Sequence, residues 1–160
     1  MKLIILRGVS GSGKTTLVKN IALKEEMSLL EGHIEYVVCS ADHWFYNDNN
    51  EYVFDAKQLG QAHKHCRVSC RESMKTSVPL IFVDNTNTTW SEFKDYVDYA
   101  KKYGYDVFLA EPKTSWKFNI DELMMKSTHN VPRESLQKML DRWQNSDKII
   151  ADHPEINYYE

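Results

Sequence analysis

Apolar residues fall along this chain in short blocks, most of them no longer than a strand. KLIIL at 2–6 is a nearly unbroken apolar run halted by Arg7-Gly8, which reads as a strand buried on both faces. IEYVV at 34–38, PLIFV at 79–83 and YDVFLA at 105–110 predict three more strands. Between the blocks the apolar spacing lengthens to three and four residues. A helix is expected from Lys14 to about Glu26. Leu59, Ala62, Cys66, Cys70 and Met74 mark one buried helix face, and Phe93, Val97 and Ala100 mark another. The latter helix has a start signal in Thr89 and Glu92, a capping box, and a stop at Gly104. Strands alternating with helices, each strand a single apolar run, imply an α/β fold. The expected core is a doubly wound parallel sheet of four or five strands with helices on both faces.

After Glu111 the pattern turns helical, in DELMMKS and then, behind Pro132, in ESLQKMLDRW. The last stretch, SDKIIADHPEINYYE, has no clear period. Residues 1–145 are therefore expected to form one domain, and 146–160 a tail that either wraps it or hangs loose. A chain of 160 residues with 42% hydrophobic and 27% charged content suits one soluble globular domain. No apolar run reaches membrane length. The N-terminal apolar block is too short for a secretory core and runs into glycines without a cleavage site, so a cytoplasmic or nuclear location is expected. Cys39, Cys66 and Cys70 are odd in number and lack a metal or disulfide spacing, which fits a reducing compartment. The net charge of −3 argues against a protein that coats nucleic acid, though not against a local basic groove.

The candidate chemistry begins directly after the first strand. Gly8-Val9-Ser10-Gly11-Ser12-Gly13-Lys14-Thr15 satisfies G-x-x-x-x-G-K-[ST] and opens a helix. The glycines let backbone N–H groups turn toward phosphates, at a helix N-terminus that favours anions. Lys14 is the candidate for the β- and γ-phosphates, and the Thr15 hydroxyl for Mg²⁺, with Thr16 following in the same turn. A P-loop nucleoside-triphosphate domain binding ATP and Mg²⁺ is the expectation. A GTPase would need a base-reading N-K-x-D, which the chain lacks. An AAA-type ATPase would need more chain and two acids after the third strand. Here a single Asp84 is followed by Asn85-Thr86-Asn87, so a small kinase is favoured.

Ligands of doubly wound sheets collect at the carboxyl ends of strands. CSADHWFYNDNN, residues 39–50, should end the second strand across the cleft from the phosphate loop. Asp42 there is either a turn-capping carboxylate or the acceptor of a hydroxyl proton.

In order, LRGVSGSGKTT, CSADHWF, YVFDAKQLGQAH, IFVDNTNTTWSEF, GYDVFLAEPKTSW and KSTHNVPRESL resemble the polynucleotide 5′-hydroxyl kinase family. That family includes bacteriophage polynucleotide kinases, the P-loop domain of cyclic-nucleotide phosphodiesterase and stand-alone cellular relatives. The likeness runs from about residue 3 to 145. It implies transfer of the ATP γ-phosphate to the 5′-hydroxyl of a DNA or RNA end. It further implies Asp42 as general base, Lys14 and Thr15 at the phosphates, and Asp84 near the acceptor, supporting transfer geometry or a lid cation. The family's helical lid near the C-terminus usually reads R-N-x-H-G-V-P, and here the segment is Lys126-Ser127-Thr128-His129-Asn130-Val131-Pro132. Lys lacks the bidentate fork of Arg, which leaves three outcomes: Lys126 serves, Arg133 serves, or activity is reduced. Any repair phosphatase or ligase is expected to act in trans. Two rival readings stay open, a small-molecule kinase and a non-catalytic ATP-binding module.

Lesser features carry weaker expectations. Lys64, Arg67, Arg71 and Lys75 form a basic helical stripe, by default a solvated face and otherwise a phosphate-backbone contact. Trp44 and Phe45 suit either base stacking or burial. His63, His65, Cys66 and Cys70 fit no usual zinc set. His43 has no assigned role, and Trp116 is expected to hold the lid hinge.

Overall fold

The computed structural model describes residues 1–29 and 32–160. Five strands form one sheet in the order β2-β3-β1-β4-β5: β1 Lys2–Leu6, β2 Tyr36–Cys39, β3 Leu80–Asp84, β4 Asp106–Ala110 and β5 Ile156–Tyr158. Every pairing is parallel. The helices are α1 Lys14–Met27, α2 Leu59–Lys75, α3 Trp90–Tyr103, α4 Ile120–Lys126, α5 Arg133–Asp141 and α6 Ser146–Asp152. The expected doubly wound sheet is thus the observed one. Its second strand runs from Tyr36 to Cys39 rather than over 34–38. No helix among the described residues is long and apolar enough to cross a membrane.

The apolar runs are unbroken because both faces of the sheet are covered. Alternate β1 residues go to opposite sides, as a period of two requires. Leu3 and Ile5 join Ile81, Val83, Val107 and Leu109 against Cys66, Cys70 and Met74 of α2 and Phe93, Val97 and Ala100 of α3. Ile4 and Leu6 join Leu80, Phe82 and Ala110 against Val18, Ile21 and Ala22 of α1. A third, smaller cluster of Val9, Leu123 and Leu136 fastens α4 and α5 onto the phosphate loop.

Gly104 closes α3 in the left-handed region, at φ 74°, as its stop signal predicts. The expected capping box at its start is altered. The Thr89 hydroxyl turns to Ser91 Oγ and makes no cap bond. Glu92 reaches back instead to the backbone N–H and hydroxyl of Thr88.

The segment without a clear period is built into the sheet. Asn145 caps α6 by accepting from the Lys148 backbone N–H. Ile149 and Ile156 enter the α2/α3-side core, and β5 pairs with β4. These elements were hard to foresee because α6 has seven residues and β5 three, too few to display a period.

Beneath the phosphate loop lies a guanidinium with no solvent exposure, that of Arg7. It donates to the carbonyls of Asn87 (2.9 Å), Thr88 (3.0 Å) and Gln144 (2.7 Å) and to Ser146 Oγ, with Glu111 Oε1 at 3.5 Å. Its plane lies 4.4 Å from the Trp143 ring centroid. Burial lowers its pKa, and the Glu111 carboxylate opposes that shift. Replacing Arg7 by Met keeps much of the bulk but leaves these buried acceptors without donors. R7M should lower unfolding free energy by about 3 kcal/mol in a urea titration, and a loss below about 1 kcal/mol would contradict the assignment.

Candidate functional site: a phosphate loop facing a carboxylate

Sheet order brings the expected residues together. β3 lies between β1 and β2, with Leu6 in register with Asp84, and Cys39 with Val83. Asp84 therefore stands between the loop that follows β1 and the turn that follows β2. Gly8 N–H donates to the Thr86 carbonyl at 3.0 Å. Asn87, at φ 47°, donates through its side chain to the Leu6 carbonyl at 2.7 Å. Asn85 accepts from the Ala41 N–H at 2.9 Å, so the loop after β3 holds both neighbours.

The phosphate loop is shaped as its glycines predict. Gly11 and Gly13 have φ of 83° and 105°. A Cβ on Gly8 would stand 2.4 Å from Ser12 Oγ, and one on Gly11 2.5 Å from the Leu123 carbonyl. Gly13 starts α1 without a side-chain cap and no acid occupies the first turn, leaving that helix N-terminus to an anion. The buried hydroxyls of Ser12 and Ser127 have no partner among the described residues. Such a cradle fits phosphate groups.

A cavity of about 300 Å³ collects Ser10, Gly11, Gly13, Lys14, Thr15 and Thr16 with Asp42, Asp84 and Lys126. Gly8 and Ser12 of the same loop do not line it. Lys14 Nζ donates to the Val9 carbonyl at 3.4 Å. Burial lowers its pKa, opposed by Asp84 and then Asp42, and burial raises that of Asp84, opposed by Lys14. Each buried charge is the other's compensation. The Thr15 hydroxyl and Asp84 offer the oxygen ligands that Mg²⁺ prefers beside phosphates.

Asp42 sits in a 3₁₀ turn, Ala41–Phe45, opened by Ser40, whose hydroxyl accepts from the Asp42 N–H. Its carboxylate is half exposed, with Tyr52 Oη at 3.1 Å and His129 Nε2 at 4.0 Å. Neither Tyr52 nor His129 carried a role in the sequence. The turn also decides the aromatics. Phe45 is buried, and Trp44 donates to Gln58 and tilts against His65. Tyr46 instead faces an outer groove of about 600 Å³, which continues from Asp42, Asp84 and His129 past Lys19, His43 and Asn50.

The lid meets the loop through the segment after β4. Thr114 Oγ1 donates to the Ser12 carbonyl at 2.9 Å and Trp116 Nε1 to that of Gly11 at 3.2 Å. Lys126 Nζ rests 4.3 Å from the Trp116 ring centroid while lining the phosphate cavity. Arg133 lies outside that cavity and pairs with Asp121 at 2.5 Å. On α2 the basic stripe is met by acids: Arg67 by Asp95, and Arg71 and Lys75 by Glu72. Cys66 and Cys70 are buried in the core.

This is a P-loop domain of kinase-like fold. The family described as AAA domain matches residues 3–145, and the chain belongs to it. Human NEDD4-binding protein 2 is 37% identical over 142 residues, covering 89% of this chain and 8% of that protein. The 2′,3′-cyclic-nucleotide 3′-phosphodiesterase of Mus musculus is 27% identical over 137 residues, covering 86% of this chain and 30% of the enzyme. The chain thus spans a small part of these relatives. A chain of the Pnkp1/Rnl/Hen1 RNA repair complex superposes with a TM-score of 0.65 at 17% identity, covering 92% of this chain and 45% of that one.

The close seat of α4 on the loop is testable. G11A forces a Cβ at positive φ against the Leu123 carbonyl. Stability should fall by roughly 1–3 kcal/mol in chemical denaturation, and an unchanged midpoint would show that the loop and lid are not so packed.

Proposed function

We propose that this chain is a polynucleotide 5′-hydroxyl kinase, transferring the ATP γ-phosphate to the 5′-hydroxyl of a DNA or RNA end. The observation that carries the reading is the position of Asp42. It lines both the phosphate cavity and the outer groove, which also share Asp84 and His129. A donor in the first and a hydroxyl in the second would meet at that carboxylate. Asp42 takes the hydroxyl proton, the freed oxygen forms a bond to the γ-phosphorus, and the bond to the β–γ bridging oxygen breaks to release ADP. Lys14 and the uncapped α1 N-terminus balance charge on the phosphates. Mg²⁺, held by the Thr15 hydroxyl, supplies further charge neutralisation when bound. Asp84 keeps Lys14 charged and aimed, and Lys126 is the lid cation.

The names of similar proteins support a nucleic-acid acceptor: one belongs to an RNA repair complex and another acts on cyclic nucleotides. A repair phosphatase or ligase is the matching partner, and the cytoplasm or nucleus the matching location. A small hydroxylic acceptor is the second reading, favoured by the ion pairs that Arg67, Arg71 and Lys75 of the α2 stripe make with Asp95 and Glu72.

The test uses γ-labelled ATP, Mg²⁺ and an oligonucleotide bearing either a 5′-hydroxyl or a 5′-phosphate. Label on the first alone is expected. Label only on small acceptors would establish the second reading, and ATP binding without transfer would leave a binding module. D42N should abolish transfer and retain ATP affinity, and full activity in that variant would remove Asp42 from the reaction. For the lid, K126A should raise the KM for ATP about tenfold, whereas R133A should leave it unchanged. The opposite ranking would make Arg133 the clamp.

A further inference from the structure

Two ring-bearing residues to which the proposed transfer gives no part converge on Asp42. Tyr52 lies on the short hairpin after the Asp42 turn, where Tyr46 and Tyr52 form an isolated antiparallel bridge. Its hydroxyl donates to Asp42 Oδ1 at 3.1 Å. His129 comes from the lid segment between α4 and α5. Its imidazole stacks on the Tyr52 ring, with centroids 3.8 Å apart and planes at 21°. Nε2 then stands 4.0 Å from Asp42 Oδ2. Tyr46 closes the third side, edge-on to Tyr52 at 5.3 Å and to His129 at 6.4 Å.

The hairpin itself is well specified. Asn47 accepts through its side chain from the Asn49 and Glu51 backbone N–H groups, and Asn50 takes φ 61° at the tip. Tyr52 is thus presented by a built turn. The arrangement divides the carboxylate: Oδ1 has a neutral donor from the hairpin, and Oδ2 is the oxygen nearer His129 of the lid. A base that works through one oxygen is aimed by a bond to the other.

We propose that Tyr52 and His129 are positioning residues for Asp42: Tyr52 orients the carboxylate, and the lid locks that orientation by stacking His129 on Tyr52. The inference rests on the reading of Asp42 as the base. Lys126, Ser127, Thr128 and His129 all line the phosphate cavity. The segment that lies over the nucleotide therefore also completes the acceptor base, so lid closure and base alignment are one event.

The groups facing Asp42 come from several elements. They are Lys14 of α1, Asp84 at the end of β3, His43 of its own turn, His63 of α2, Tyr46 and Tyr52 of the hairpin, and His129 of the lid. Y52F changes none of their charges and retains the stacked ring, removing one O–H donor. Asp42 then loses the contact that aims it, so kcat at neutral pH should fall roughly tenfold, with both KM values unchanged. H129Q should lower kcat with the ATP dissociation constant unmoved. Because both residues act through Asp42, the double variant should fall no further than the worse single one.

An unmoved kcat in Y52F, or a loss confined to KM, would overturn the proposal, as would additive losses in the double variant. Should Y52F prove unfolded by its thermal transition, H129Q, a change in an exposed lid segment, decides the matter, and an unchanged kcat counts against it. Failure of the base assignment itself reads out separately, as transfer retained by D42N.

Discussion

A charged group with no water contact holds the functional end of this molecule together. Arg7 follows the last β1 residue and precedes the first glycine of the phosphate loop, and its side chain is fully buried. Taking a guanidinium out of water is costly unless its donors are matched. Here they are matched by carbonyls of the loop after β3, by Gln144, and by Ser146 and Glu111, with an indole face alongside. Its partners come from three separate parts of the chain, so the phosphate loop, the Asn87 loop and the start of α6 cannot shift independently. Asp84 and the Asn85 contact to Ala41 extend that constraint to the turn carrying Asp42. The cradle is held by the chain's own contacts, which is what electrostatic catalysis of phosphoryl transfer asks of a protein.

Outward from this buried floor, the site becomes more exposed. The loop carbonyls of Gly11 and Ser12 are held by Trp116 and Thr114, so the segment after β4 braces the cradle as well as leading to the lid. Lys126 rests over the Trp116 ring, where a cation is attracted to the π-face without being fixed by a hydrogen bond. A lysine held in this way is not locked to a single acceptor while it lines the phosphate cavity. Farther out, Asp42 is half exposed and bordered by Tyr52 and His129. Burial followed by the Asp42 charge pushes the Tyr52 phenol far up, so its proton stays in place as a donor across the working range.

Much of this was legible in the chain itself. The KLIIL run, the Gly8–Thr15 motif and the spacing of Cys66, Cys70 and Met74 each declare a local requirement: burial on both faces, backbone N–H groups turned inward, one apolar helix stripe. Such requirements are written in adjacent or periodic residues, and each was found where expected. Arg7 was not legible as more than a strand stop, because its meaning lies in carbonyls of Asn87, Thr88 and Gln144, and a carbonyl has no side-chain signature. Thr89 and Glu92 match a capping box in spacing, yet Thr88 takes the bond. Trp44 and Phe45 sit beside Asp42 in sequence, but a 3₁₀ turn carries them away from the groove and presents Tyr46.

The sequence by itself determined the class of fold, the phosphate cradle and the presence of a carboxylate at the end of the second strand. Those features follow from short-range geometry: strand and helix periods, glycine φ angles, and the register of parallel strands. Tertiary structure alone decided which distant side chains share that carboxylate and which cation lies over the cradle. Tyr52 reaches Asp42 through a hairpin, His129 through a lid, and Lys126 lines the cavity while Arg133 pairs with Asp121 outside it. The last strand, three residues long, likewise acquires its place only because β4 offers an open edge to pair with. Contacts between residues far apart in the chain have no period and no fixed spacing, and only the folded packing selects among them.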